Sequence, residues 1–153
     1  MSGVDFLDSN VFIYAVDNAS AAKQAVARAL LDQAHTHQSA IISFQVVQET
    51  LHVLRRKFRV VANAPDAQDF LRNVLVPLWR VQPSAALYSR ALEVQERYQF
   101  NFYDSLIVAA ALEAGCQRLL SEDLQHGQRI EGLTVENPFL PGTKQKKTAA
   151  RSS

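Results

Sequence analysis

Four carboxylates, Asp8, Glu49, Asp104 and Asp123, stand where an apolar segment stops or a helix begins. Asp8 and Asp123 follow short apolar runs that read as strands. Glu49 and Asp104 lie early in segments that read as largely buried helices. Gathering like charges in a partly buried place is unfavourable unless something compensates them. A divalent cation does so, and an oxygen-only donor set selects Mg²⁺ or Mn²⁺ over thiolate-loving or imidazole-loving metals.

Each acid also has an ordinary structural role open to it. Asp8 opens Asp8-Ser9-Asn10, a set of helix-capping side chains. Glu49 lies away from the apolar stripe of its helix and alone reads as a surface glutamate. Asp104 fits the third position of a capping box opened by Asn101, where the helix dipole favours a negative charge. Asp123 suits a turn after a strand. Their order and spacing together single them out.

The elements that must position them alternate between strand and helix. Val4 to Leu7 reads as a first strand, followed by a short helix through Val16. Ser20 caps a second helix. Ala40 to Ser43 is a second strand. A helix over Gln45 to Phe58 repeats Val47, Leu51, Leu54 and Phe58 on one face. Pro65 opens a helix expected to run to about Val76. Leu78 to Val81 is a third strand. Ser84 caps a helix carrying Leu87, Ala91, Val94 and Tyr98. Tyr103 to Ala114 is apolar nearly all round and stops at Gly115. Arg118 to Ser121 is a fourth strand and Leu133 to Val135 a fifth. Short, continuously apolar strands are those of a sheet covered on both faces. The expected fold is a three-layer α/β/α sandwich with a central, mostly parallel sheet. In such a sheet ligands bind beyond the carboxyl ends of the strands, where Asp8, Asp123 and the helix bearing Glu49 begin. Asp104 fits less easily, on the expectation that a helix leading into a parallel strand starts at the opposite edge.

The chain has 153 residues, 48% hydrophobic and 20% charged, with a formal charge of +1. That suits one globular domain, placed at residues 1–141, and a basic tail, 142–153, without hydrophobic pattern, read as disordered. Near-neutral charge indicates no nucleic-acid partner by itself. Cys116 is the only cysteine, so an intramolecular disulfide is excluded and a Cys-based zinc site is not suggested. No run approaches a membrane span. The first apolar run carries Asp5 and Asp8 and lacks a basic n-region, which argues against a signal peptide. A cytoplasmic location is expected.

Asp8-Ser9-Asn10-Val11-Phe12, Gln48-Glu49-Thr50, Phe102-Tyr103-Asp104-Ser105-Leu106-Ile107 and Leu120-Ser121-Glu122-Asp123-Leu124 resemble the ordered motifs of PIN-domain ribonucleases, from about Val4 to Phe139. The size is similar to that of a lone PIN domain of the VapC toxin type. The resemblance implies that Asp8, Glu49, Asp104 and Asp123 converge on Mg²⁺ or Mn²⁺, with the Asp104 helix starting near the site. It implies that Ser9, Asn10 and Ser121 support them. The implied activity is hydrolysis of RNA phosphodiester bonds by an endoribonuclease acting as the toxin of a toxin–antitoxin pair. A cognate antitoxin and a homodimer are the implied partners.

Phosphate contact is assigned to Arg56, seven residues and about two helical turns from Glu49, and to Arg59. Phe100, Phe102 and Tyr103 read first as core or interface and second as base-stacking residues. The Glu49-x-x-His52 pair has the spacing of a di-iron site, but it occurs once and among strands. A receiver domain lacks support, since Ser9-Asn10 stands where paired acids are needed. His35 and His37 read as exposed. A PIN-fold module that binds RNA or protein without cleaving, or a housekeeping RNA-processing nuclease, remains the alternative.

Overall fold

The first strand, β1 (Asp5–Leu7), occupies the middle of the sheet in a computed structural model that describes residues 3–58 and 63–141. It is followed by α1 (Ser9–Val16), α2 (Ala21–His37), β2 (Ala40–Ser43) and α3 (Phe44–Lys57). Then come α4 (Ala64–Phe70), β3 (Trp79–Val81), α5 (Ala85–Tyr98) and α6 (Phe102–Glu113). The chain finishes with β4 (Arg118–Leu120), β5 (Arg129–Ile130) and β6 (Leu133–Glu136).

Among the described residues the strands form one sheet ordered β3-β2-β1-β4-β6-β5. Every pairing is parallel except β5 with β6. β1 lies between β2 and β4, with Leu7 opposite Leu120. Phe6, Leu7, Ile42, Leu119, Leu120 and Val135 are fully buried, as expected of strands covered by helices on both faces. Asp5 interrupts the apolar pattern of β1 because Arg118 of β4 pairs with it, at 2.5 Å, and with Glu136 of β6, at 2.8 Å. The expected mostly parallel α/β/α sandwich is therefore the observed fold. Among the described residues, no helix is long and apolar enough to cross a membrane. The expected tail, 142–153, lies outside the described residues, as does Arg59.

Local chemistry explains most boundaries. Ser20, Ser84, Asn63 and Asn101 each accept a backbone N–H at a helix start, satisfying donors that lack an intrahelical partner. Gly115, at φ 74°, takes the left-handed conformation that ends α6, and Cys116 N–H returns to Ala111 carbonyl at 3.0 Å. The helix opened by Pro65 does not reach Val76 in regular form. It ends at Phe70, widens into a π turn over Leu71–Leu75 and tightens into a 3₁₀ turn over Val76–Leu78. Pro77 has no N–H to donate and its ring crowds the preceding turn, so a regular helix cannot pass through it. His35 is not exposed: its Nε2 bonds the Val74 carbonyl at 3.0 Å across this irregular segment.

Candidate active site

Asp8 is the fixed point of the site. Its backbone N–H bonds Leu120 carbonyl at 3.0 Å, extending the β1–β4 ladder by one residue beyond Leu7. The chain then turns into α1, and Asp8 becomes its N-cap. One carboxylate oxygen accepts Ser9 N–H at 2.8 Å; the other accepts the Ser121 hydroxyl at 2.7 Å. The residue is 4% exposed. Burial pushes the Asp8 carboxyl up to about 7, repulsion from Asp123 and Glu49 adds to this, and the Ser121 and Ser9 hydrogen bonds oppose it.

Ser121 joins two acids. While its hydroxyl donates to Asp8, the same oxygen accepts Asp123 N–H at 3.0 Å. Its own N–H is tied to Glu136 carbonyl at 3.1 Å. The turn after β4 is thereby held beside the end of β1. Asp123 is exposed, and Asn10 Nδ2 donates to it at 3.4 Å.

Glu49 is half-buried rather than a free surface glutamate. The start of α3 is buried on more than one face, from Phe44 through Val47 and again at Thr50, which draws Glu49 inward. It accepts the Ser9 hydroxyl at 3.3 Å and Gln45 Nε2 at 3.1 Å. Burial raises its pKa, with repulsion from Asp104 and Asp123 in the same direction. Gln45 Nε2 also donates to Tyr103 carbonyl at 3.1 Å, fastening the start of α6 to α3.

That contact sets the position of Asp104. The expectation that α6 starts at the far edge is not met, for a simple reason. A helix feeding a parallel strand runs down while the strand runs up. α6 ends at the amino edge, where Gln117 N–H bonds Val4 carbonyl at 3.0 Å, so it begins at the carboxyl edge, on the order of 18 Å away along a twelve-residue helix. Asn101 accepts Asp104 N–H at 2.8 Å and donates to its carboxylate at 3.0 Å. Burial raises the Asp104 pKa, with repulsion from Asp123 next.

Electrostatic repulsion thus links Asp8 to Asp123 and Glu49, and Asp104 to Asp123 and Glu49. Their hydrogen-bond partners are neutral: Ser9, Asn10, Gln45, Asn101 and Ser121. Among the described residues, none of the four pairs with a lysine, arginine or histidine. Glu122, next in sequence, behaves oppositely. It accepts Tyr14 hydroxyl at 2.5 Å and pairs with Lys23 at 3.3 Å.

Uncompensated carboxylates of this kind match a hard divalent cation such as Mg²⁺ or Mn²⁺. As they stand, no three acidic, histidine or cysteine side chains among the described residues form a ready cation cluster. Glu49 and Asp104 are half-buried and Asp123 is exposed. The donor chemistry fits such an ion.

Of the residues singled out in the sequence, the structure gathers Asp8, Ser9, Asn10, Glu49, Asp104, Ser121 and Asp123. Arg56 is exposed on α3 and makes no hydrogen bond or ion pair with the four acids. Gln45 was missed. Its signal is a lone polar side chain in the buried run Phe44–Val47, one turn before Glu49. The Tyr14–Lys23–Glu122 cluster was missed as well, and no local pattern joins its three members.

Residues 6–129 match the family described as PIN domain. No curated protein gives a significant sequence match. Among solved structures, VapBC2 from Rickettsia felis bound to a promoter DNA fragment is similar, at TM-score 0.62 and 19% identity over 88% of this chain and 98% of that one. VapC20 from Mycobacterium tuberculosis, a sarcin-ricin loop cleaving toxin, has TM-score 0.57 and 19% identity over 78% and 91%. A toxin–antitoxin complex from Klebsiella pneumoniae has TM-score 0.62 and 16% identity over 88% and 97%.

Proposed function

The chain belongs to the PIN domain family, and from that premise we propose that it is a Mg²⁺- or Mn²⁺-dependent endoribonuclease, the cytoplasmic toxin of a toxin–antitoxin pair. The observation that carries the reading is the gathering of four acids, without a basic partner among the described residues, at the carboxyl edge of a parallel sheet. Ligands of open α/β sheets bind at that edge.

Asp8 and Asp104 would be the principal ligands of the ion, and Asp123 would complete that site or hold a second ion. When bound, the ion supplies a water of lowered pKa and compensates charge on the phosphate. Glu49 orients the attacking water and takes its proton; half-burial raises its basicity for that task. The water oxygen bonds to phosphorus as the bond from phosphorus to the leaving ribose oxygen breaks. Ser121 keeps Asp8 and the Asp123 turn in fixed relation. Arg56 and Arg59 contact flanking phosphates of the RNA.

The similar solved structures include a toxin–antitoxin complex, which supports a cognate antitoxin as partner. Homodimerisation accompanies this reading.

Purified protein is incubated with RNA and Mg²⁺ or Mn²⁺, with and without a chelator, beside Asp8→Ala and Asp104→Ala. Cleavage that needs the ion and is lost in both folded variants is expected. Wild-type turnover by Asp8→Ala would sink the mechanism. Growth arrest on overexpression that persists with Asp8→Ala would sink the toxin reading.

A further inference from the structure

α6 is the most deeply buried helix near the site, with every residue from Ser105 to Ala111 buried. Its second residue breaks that pattern. Tyr103 is 65% exposed, the most exposed large hydrophobic side chain among the described residues. Its hydroxyl has no hydrogen-bond partner within the described residues. Phe100 and Phe102, by contrast, pack against the core, as the sequence suggested for all three.

The exposed ring is not loosely placed. Tyr103 carbonyl accepts Gln45 Nε2 at 3.1 Å, and Gln45 is 4% exposed. The ring meets Phe102 edge to face, with centroids 5.5 Å apart and planes at 77°. Phe102 is itself partly buried against the core. Backbone and ring are both anchored, yet most of the ring surface faces water. Nothing in helix formation requires this, since a small or charged residue serves a first turn better than tyrosine.

Its neighbour in sequence is Asp104, and the same Gln45 amide that anchors it also holds Glu49. Adjacent Cα atoms lie only about 3.8 Å apart. A phosphate brought to Asp104 therefore carries its flanking bases to the neighbourhood of Tyr103. An ordered, water-facing aromatic ring is the usual platform on which proteins stack an unpaired base, and it is tolerant of base identity because every base has a π face.

We infer that Tyr103 is a substrate-binding residue that stacks on an unpaired base flanking the scissile phosphate of single-stranded RNA, on a platform fixed by Gln45 and Phe102. The inference rests on the ribonuclease reading above and adds the element that recognises the strand. It makes the site selective for unpaired segments, whose bases are free to leave their neighbours.

The test uses short, labelled single-stranded RNAs spanning a mapped cut, with abasic nucleotides placed singly on either side. Wild type, Tyr103→Ala, Tyr103→Leu and Tyr103→Trp are compared by Kd and by KM against kcat. Because the ring is exposed, all four should unfold at closely similar temperatures. Tyr103→Ala and Tyr103→Leu should weaken binding by about 5- to 150-fold, mostly in KM, and Tyr103→Trp should retain it. One abasic position should weaken the wild type by a similar factor and leave Tyr103→Ala nearly unaffected. If Tyr103→Ala binds RNA as tightly as wild type, the inference fails, and an ordering role for a protein partner takes its place. If every abasic position acts equally on wild type and variant, it also fails. Either result leaves the ribonuclease reading standing as long as wild type cleaves and Asp8→Ala does not. Failure of the wild type to cleave any RNA overturns that reading separately.

Discussion

Replacing Asp8 with asparagine should stabilise the metal-free protein while removing its activity. The Asp8 carboxyl is pushed up to about 7 from 3.8, chiefly by burial. An unfolded chain returns it to the ordinary value, so the folded state binds the proton more tightly. Stability is therefore unaffected by this group below about pH 4, is lost progressively as pH rises to about 7, and stays lost above it. Three pKa units correspond to on the order of 4 kcal/mol. Asparagine removes the charge and with it this penalty. It does not match every contact. With its oxygen toward Ser9 N–H, its amide faces Ser121 Oγ, whose own proton then loses its acceptor. That offsets roughly 1 kcal/mol, leaving a net gain of about 3 kcal/mol, or roughly 6 to 12 °C in Tm for a chain of this size. Thermal or urea unfolding in chelator at pH 4, 5.5, 7 and 8 reads it directly. Asp8→Asn should be slightly less stable than wild type at pH 4, where only the lost Ser121 hydrogen bond counts, and the curves should cross before pH 5.5 and separate most at pH 8. The variant's pH slope should be shallower but not flat, because Glu49 and Asp104 are also raised. Adding Mg²⁺ should stabilise wild type much more than Asp8→Asn. A variant equal to or less stable than wild type at pH 8 in chelator would refute the argument that buried, uncompensated charge governs this site.

Two further substitutions separate positioning from chemistry. Ser121→Ala removes the hydroxyl shared by Asp8 and the Asp123 turn, and should weaken Mn²⁺ binding by about 10- to 100-fold in a titration followed by calorimetry, with Tm lowered by about 4 to 8 °C for the two hydrogen bonds lost. Gln45→Ala strips the donors from Glu49 and from Tyr103 carbonyl; it should cost about 1 to 3 kcal/mol in urea unfolding and raise KM for RNA, and unchanged values for both would contradict the anchoring role.

Local signals were enough to locate most elements. Ala40–Ser43 is bounded as its apolar run indicates, and Ser20, Ser84 and Asn101 cap the helices they precede. Such features depend on neighbours in the chain, so a short window contains their cause. The site was legible in part for the same reason: Asp8 is an acid that caps α1, and Asp104 is an acid in the first turn of α6, capped by Asn101. Contacts across the fold were not. Half-burial of Glu49 depends on how α3 meets Ser9 and Gln45. The edge at which α6 starts depends on where it must end. β5 escaped notice because two residues, Arg129 and Ile130, make no pattern, although Glu131 at φ 56° and Gly132 close its hairpin. The regular helix opened by Pro65 ends at Phe70 rather than about Val76, because Pro77 cannot be carried in a regular helix.

The pairing of β1 with β4 has a consequence for the timing of synthesis. Asp8 and Ser121 are 113 residues apart in the chain, and they meet only when β4 inserts beside β1. Ribosomes add about 5 to 20 residues per second, so several seconds separate the first acid from the last. During that interval the chain holds Asp8, Glu49 and Asp104 but has neither the strand that seats Asp8 nor the turn that brings Asp123. On the ribonuclease reading, the site stays incomplete until translation has passed Asp123, because the same long-range strand pairing that joins β4 to β1 also brings the Ser121–Asp123 turn to Asp8.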